Sequence, residues 1–127
     1  MSTTVFKRGQ IWMAELGNPV GTELGYEHPV VIISGADLIK TNSSRVICVP
    51  GTSKKYVNPR TGKLLALHLE VVQSPLNGLS RSTYFMSEQI RALSSRRFRR
   101  KMGMIELRLL AKMEEHLRFA MDLFEPV

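Results

Sequence analysis

Short runs of alternating or continuous apolar residues fill the first three quarters of the chain, and residues typical of turns bound each run. No long helical pattern separates these runs, so repeated strand–helix units and a parallel sheet are disfavoured. The pattern predicts about five antiparallel strands with short connections. They cover residues 9–16, 29–34, 44–50, 63–71 and 83–93.

The last quarter changes to helical spacing. Its apolar residues recur every three or four positions, at Ile105, Leu109, Met113, Leu117, Met121 and Phe124. This spacing predicts an amphipathic helix over about 104–122, with its apolar face against the sheet or a partner subunit. Strands followed by one helix indicate a mainly β (α+β) protein, and 127 residues suit a single domain, 1–127.

The charge distribution favours a polyanionic partner. There are 18 basic and 11 acidic residues, a formal charge of +7, and residues 91–101 contain six arginines or lysines and no acidic residue. Such a surface attracts nucleic acid through counterion release, although a solvated face that aids solubility remains an alternative.

The sequence gives little indication of a metal site, a disulfide or a membrane segment. Cys48 is the one cysteine, and the three histidines form no HxH, HExxH or CxxC-type spacing, so we expect no metal or other cofactor. Neither a membrane span nor a signal-peptide pattern is evident, and a cytoplasmic location is expected.

Strand ends and loops carry side chains that suit RNA cleavage without a metal. Such a reaction needs a base near the 2′-hydroxyl, an acid for the departing 5′-oxygen and donors for the charged transition state. The candidates are Thr22, Glu23, His28, Thr52, Ser53, Glu88 and Arg91. Each also has a structural interpretation, as a turn residue, a loop-capping hydroxyl or a Glu88–Arg91 ion pair.

Several segments resemble the MazF/PemK toxin family, in the family's order and spacing. Residues 7–12, K-R-G-Q-I-W, are similar to its opening G-[DE]-I-W strand, and residues 21–23, G-T-E, to its G-x-E loop. Residues 28–34, H-P-V-V-I-I-S, resemble R-P-V-[VL]-[IV]-[IV]-S, and residues 49–53, V-P-G-T-S, are close to V-P-[LIV]-T-S.

The likeness continues towards the C-terminus. Residues 79–82 resemble the segment that enters the last strand, and residues 88–93, E-Q-I-R-A-L, look like D-Q-I-R-T-[IV]. Residues 95–98, S-R-R-F, match a K-x-R-L element before the helix. The resemblance therefore spans about residues 7–123.

The resemblance implies a small SH3-like antiparallel β-barrel with a C-terminal amphipathic helix, usually a homodimer. It implies the toxin of a type II toxin–antitoxin system, a metal-independent endoribonuclease (mRNA interferase) that cleaves single-stranded RNA by 2′-hydroxyl attack. The implied partners are the RNA substrate, an acidic antitoxin and a second copy of the chain, with no cofactor.

On the same resemblance, His28 and Glu88 are the candidate proton-transfer groups, and Thr52 and Ser53 are expected to hold the scissile phosphate. Further residues are expected to bind and place the RNA, the two tyrosines by stacking on bases. They are Thr22, Glu23, Tyr26, Lys54, Tyr56, Gln89 and Arg91.

Two positions depart from the family pattern. His28 stands where the family usually has a permanently charged arginine, and a histidine titrates near pH ~6.5. Met86 stands where some PemK-like members place a functional arginine. Two other functions therefore stay open: a binding module that has lost turnover, and a toxin that targets gyrase on the same barrel.

Overall fold

The computed structural model describes residues 5–42 and 44–123. Within those ranges the chain forms seven strands and two α-helices, so the predicted α+β organisation is confirmed. The strands are β1 Gln10–Glu15, β2 Glu27–Ile32, β3 Arg45–Thr52, β4 His68–Val71, β5 Thr83–Met86, β6 Arg91–Ser94 and β7 Phe98–Met104; the helices are α1 Ala36–Thr41 and α2 Leu107–Ala120.

One antiparallel sheet contains every strand of the described ranges, in the order β4-β5-β3-β2-β1-β7, with β6 attached to β3. The branch point is β3, because one of its edges pairs with β2 and the other is divided. Residues 45–48 of β3 pair with β6, and residues 51–52 pair with β5. The two halves of β3 therefore belong to two differently directed parts of the sheet.

The sheet does not close into the barrel that the resemblance implies. The ends are β4 and β7, and no pairing joins them in the part of the chain that the structure describes. The loop at residues 74–78 contacts β7 instead, where the Met104 N–H donates to the Leu76 carbonyl at 3.0 Å. This approach needs a glycine, because a Cβ at Gly78 would lie 1.9 Å from the Met102 carbonyl oxygen.

The predicted strand over residues 83–93 is wrong as a single element. The chain forms β5 and β6 with a single 3₁₀ turn, Ser87–Gln89, between them. The break has a physical cause: β5 pairs with one half of β3 and β6 with the other, so the chain must change direction between them. The predicted strand over residues 63–71 is likewise shorter, since only His68–Val71 pairs with β5.

Two elements were not predicted. The helix α1 has only six residues and buries none of them, so no helical spacing of apolar residues marks it in the sequence. The strand β7 pairs with β1 at the end of the sheet, and its residues 99–101 are exposed and basic. An edge strand tolerates such charges, which conceal the alternation expected of a half-buried strand.

The predicted C-terminal helix is confirmed, and it begins three residues later than expected, at Leu107. Met113 and Leu117 enter the main core, and Leu109 packs against it. That core comprises Ile11, Val31, Val49, Leu69, Val71, Leu79, Phe85, Ile105, Met113 and Leu117. Met121 is exposed, and Phe124 lies outside the described residues.

A buried asparagine fixes the connection between β4 and β5. Asn77 is fully buried; its Oδ1 accepts from the N–H groups of Ser74 and Leu79, and its Nδ2 donates to the Val72 carbonyl. Its Nδ2 also donates to the carboxylate of Glu106, the residue that precedes α2. Asn77 thus joins the loop, the sheet and the start of α2.

Replacing Asn77 with alanine should lower the free energy of unfolding by about 2–4 kcal/mol, because several buried polar groups lose their partners. Urea unfolding measures the difference. The matched control is Asn58→Ala, which removes one exposed local hydrogen bond to the Arg60 N–H and should change stability by less than about 0.5 kcal/mol. Equal effects of the two substitutions would contradict the role given to Asn77.

Candidate active site

A cleft of about 820 Å³ opens between the loop after β1 and the region where β5 ends. Its wall combines apolar side chains with carboxylate, amide, hydroxyl and guanidinium groups. The lining residues are Gly21, Thr22, Glu23, Tyr56, Leu65, His68, Met86, Glu88, Gln89, Ile90 and Arg91. An apolar floor with converging polar groups is typical of a binding site.

The carboxylate of Glu88 lies in this cleft because the strand breaks beneath it. Glu88 occupies the middle of the 3₁₀ turn Ser87–Gln89, and its side chain is 40% exposed. Its Oε2 lies 2.8 Å from Nε2 of His68, whose side chain is only 1% exposed. One carboxylate oxygen is therefore held by an imidazole from the interior of the protein.

Gln89 and Arg91 attach the loop after β1 to the sheet. The Gln89 side chain accepts from the Leu24 N–H at 2.7 Å and donates to the Thr22 carbonyl at 3.1 Å. The Arg91 guanidinium donates to the Leu24 carbonyl and to Oε1 of Gln89. Arg91 thus bonds to this loop, and the described residues contain no ion pair between it and Glu88.

The far side of the cleft is formed by the segment after β3. The Lys54 ammonium lies 4.8 Å from the centre of the Tyr56 ring, a cation–π contact. That ring meets the His68 imidazole edge-on, with 6.1 Å between centroids. Thr52 is buried at the end of β3, and its hydroxyl oxygen accepts from the Lys54 N–H. A partly exposed aromatic ring beside a cation suits a nucleobase next to a phosphate.

A smaller cavity, of about 220 Å³, contains His28 and Ser53. It is lined by Met13, Glu27, His28, Pro29, Ser53, Leu79, Ser80, Arg81, Thr83 and Met102. Pairing of β1 with β2 sets His28 opposite Ala14. Burial lowers the pKa of His28, backbone hydrogen bonds at Gly51 and Gly25 oppose that effect, and the charge of Arg91 lowers the pKa further. The imidazole is therefore mostly neutral near pH 7.

The candidate residues predicted from the sequence are divided between the large cleft and the smaller cavity. Glu88 lines the large cleft, while His28 and Ser53 line the small cavity. Of the candidate RNA-binding residues, those in the large cleft are Thr22, Glu23, Tyr56, Gln89 and Arg91. Lys54 lies beside them against Tyr56, and Tyr26 is exposed with φ +63° outside the linings of both cavities.

Reasoning from the sequence missed His68. The sequence pattern gives this residue no role, although it makes the hydrogen bond that holds Glu88. The Asn77–Gly78 turn in the sequence indicates that β4 folds back against β5, but it does not fix the register that pairs His68 with Met86.

Residues 5–42 and 44–123 contain neither a cluster of metal-binding side chains nor a helix that could cross a membrane. No group of three or more His, Cys, Asp or Glu side chains converges there to bind a metal ion. None of the helices in the same ranges is both long and apolar enough to cross a membrane.

The fold and the cleft define a small antiparallel α+β protein with an open polar site and an excess of basic surface groups. The chain belongs to the family of PemK-like, MazF-like toxins of type II toxin-antitoxin systems, whose model matches residues 7–121. The resemblance seen in the sequence is thus confirmed.

Individual relatives agree with this assignment. The chain is 25% identical over 122 residues to Endoribonuclease MazF9 of Mycobacterium tuberculosis, covering 94% of this chain and 99% of that protein. The crystal structure of MazF (Form-I) from Deinococcus radiodurans matches with a TM-score of 0.75 and 18% identity, covering 95% of this chain and all of that one. A mycobacterial endoribonuclease in complex with its cognate antitoxin matches with a TM-score of 0.67 and 20% identity, covering 94% and 98%.

Stability should fall as the pH drops from about 7.5 to about 5.5, in part because of His28 and His116. Burial is the largest cause of the lowered pKa of both side chains. The unfolded chain, with histidine pKa values near 6.5, then binds more protons than the folded one. The two neutral histidines stabilise the fold fully at a pH above their pKa in the unfolded chain. This stabilisation is lost as the pH falls through 6.5 towards their lower pKa values in the folded chain.

Thermal unfolding across this range tests the sign, because most carboxylates titrate at lower pH. The variant with His28→Asn and His116→Asn should give a flatter dependence of Tm on pH than the parent. An unchanged slope would show that these two imidazoles do not contribute.

Proposed function

We propose that this protein is the toxin of a type II toxin–antitoxin module, and that it is an endoribonuclease that cleaves single-stranded RNA without a metal. Membership of the toxin family supports the first part. The second is supported by the 25% identical relative, which is named as an endoribonuclease and matches across nearly its whole length.

One observation carries the proposal for this chain: the half-exposed Glu88 carboxylate, held by a buried imidazole in the wall of a large cleft. A carboxylate repels the phosphates of a polyanion. Its presence in the cleft is therefore better explained by proton transfer than by phosphate binding. Arg91 in the cleft lining and Lys54 beside Tyr56 supply positive charge for the phosphates.

The proposed reaction begins when a base removes the proton of the 2′-hydroxyl. The oxygen attacks the adjacent phosphorus, the bond to the 5′-oxygen breaks, and that oxygen takes up a proton. The products are a 2′,3′-cyclic phosphate and a 5′-hydroxyl. His28 suits the role of base because its lowered pKa leaves the imidazole neutral near pH 7. The proton that it takes from the 2′-hydroxyl is returned to the departing 5′-oxygen, with Glu88 as the second proton-transfer group.

The remaining candidates position the RNA. Thr52 is the last residue of β3 and Ser53 follows it in the lining of the smaller cavity, and their hydroxyl and N–H groups donate to the phosphate. Base recognition falls to the ring of Tyr56 and to Thr22, Glu23 and Gln89 on the cleft wall, with Tyr26 at the exposed end of the loop. Arg91 and Gln89 keep that loop in place.

Two protein partners belong to the proposal. Solved structures with this fold include complexes with an antitoxin, among them MazE-MazF from Deinococcus radiodurans. The exposed basic residues 99–101 of β7 suit an acidic antitoxin segment. Exposed apolar side chains at both ends of α2, Leu107 and Phe119, suit a second copy of the chain.

Incubation of the purified protein with a long single-stranded RNA in EDTA tests the activity. We expect discrete fragments with 2′,3′-cyclic phosphate and 5′-hydroxyl ends, and no cleavage of the same sequence in a duplex. Intact RNA with retained antitoxin binding would support a binding module instead. Trapped gyrase–DNA complexes would support a gyrase-directed toxin.

His28→Ala should lower turnover by about 10² to 10⁴-fold with little loss of RNA affinity, because the base is removed while the phosphate contacts remain. His28→Arg restores the residue usual in the family; it should stay active and lose the part of the pH–rate profile that depends on the imidazole. Single-turnover kinetics between pH 5 and 9 measure both effects. If the alanine variant cleaves at the parental rate, His28 has no catalytic role.

A further inference from the structure

The Glu88 carboxylate is bonded to an imidazole that the proposed reaction leaves unused. We propose that His68 is a positioning residue, which fixes Glu88 in the orientation that proton transfer requires. This inference rests on the proposed function, because it assigns a purpose to the group that holds a proposed catalytic residue.

The geometry makes His68 a rigid support for a flexible side chain. A glutamate on a surface turn has several rotatable bonds and samples many rotamers, whereas His68 belongs to β4, where it pairs with Met86. Its side chain is almost wholly buried, and the Tyr56 ring lies edge-on against it. The 2.8 Å hydrogen bond from Nε2 to Oε2 therefore holds the carboxylate in a fixed position relative to the sheet.

The bond also fixes the tautomer of His68. A proton on Nε2 is donated to the carboxylate, whereas a proton on Nδ1 would leave two lone pairs facing each other across 2.8 Å. Nδ1 is buried and has no hydrogen-bond partner among the described residues. His68 therefore donates from Nε2 to the carboxylate. It occupies one oxygen of Glu88 and leaves the other available to the substrate.

The interior behind Glu88 is unusually polar. Ser87 Oγ and His116 Nδ1 are also buried without a partner in the described ranges, and α2 packs against both β4 and the 3₁₀ turn. Burial is the largest cause of the lowered pKa of His116. Unpartnered buried polar atoms cost stability, and a leucine at position 68 would avoid that cost. A functional role therefore explains the histidine at position 68 better than packing does.

Three substitutions at this position separate positioning from structure. His68→Gln keeps a donor close to the place of Nε2 and should retain kcat within about fivefold, whereas His68→Asn places its donor nearer Nδ1. His68→Asn and His68→Leu should lower kcat by about 10²-fold and leave KM within about twofold, because a misplaced catalytic group slows chemistry without weakening binding. His68→Leu should unfold at an equal or higher urea concentration than the parent.

A matched control excludes general loosening of β4. Val71 is a fully buried residue of the same strand and contacts neither cavity, so Val71→Ala should lower stability and leave kcat within about twofold. Loss of kcat in Val71→Ala equal to that in His68→Leu would overturn the proposal.

A double-mutant cycle tests whether His68 acts through Glu88. In the Glu88→Gln background, His68→Leu should cause no further loss of kcat, since the group it positions is already removed. Independent, multiplying losses would overturn the proposal even if both single variants are slow.

Nitrogen-15 NMR of the imidazoles gives a readout that does not depend on cleavage. We expect His68 to be protonated at Nε2 at pH 7.5 and its Nε2 resonance to move in Glu88→Gln. A proton on Nδ1 and none on Nε2 would overturn the positioning role. If the parent cleaves RNA but His68→Leu is fully active, this inference fails and the proposed function stands. If the parent leaves RNA intact, the proposed function fails and the catalytic purpose of His68 fails with it, whereas the NMR result still decides whether His68 holds Glu88.

Discussion

The hydrogen-bonding edge of β3 that faces away from β2 is shared by two strands, and the cleft depends on how that edge is divided. Cys48 pairs with Arg91 of β6, and Gly51 pairs with Phe85 of β5. Between Phe85 and Arg91 the chain passes from one pairing to the other through a single 3₁₀ turn, Ser87–Gln89. Backbone hydrogen bonding on both sides forces this crossing, and Glu88 sits in the middle of it. The site is therefore placed by the sheet, and the loops complete it.

This dependence explains how far the sequence predicts the protein. The β-branched runs and the helical spacing identify β1, β2, β3 and α2, because their periods follow directly from burial. The register between β4 and β5 is less accessible. A two-residue turn at Asn77–Gly78 would pair His68 with Ser87, but the observed register pairs it with Met86. A register shift of one residue moves every side chain of a strand to the opposite face of the sheet. The His68–Glu88 bond is therefore seen in the structure but cannot be predicted from the sequence pattern.

The two departures from the family pattern lie next to the groups that matter for chemistry. Met86 is buried in the cleft floor directly opposite His68. Where some family members place an arginine near the carboxylate on the same strand, here an imidazole on the neighbouring strand donates to it. At position 28, the exchange of arginine for histidine replaces a permanent charge with one that burial suppresses near neutral pH. Both changes replace a permanently charged side chain with one that is uncharged near neutral pH.

The open sheet has a further consequence at its β7 end. An unpaired strand edge invites another copy of the chain to extend the sheet, which is a common route to aggregation. Here that edge carries the exposed Arg99, Arg100 and Lys101. Two such edges brought together would place like charges side by side at the spacing of neighbouring strands, where repulsion is strongest. Edge-to-edge polymerisation is thereby disfavoured, and self-association is directed to other faces of the molecule.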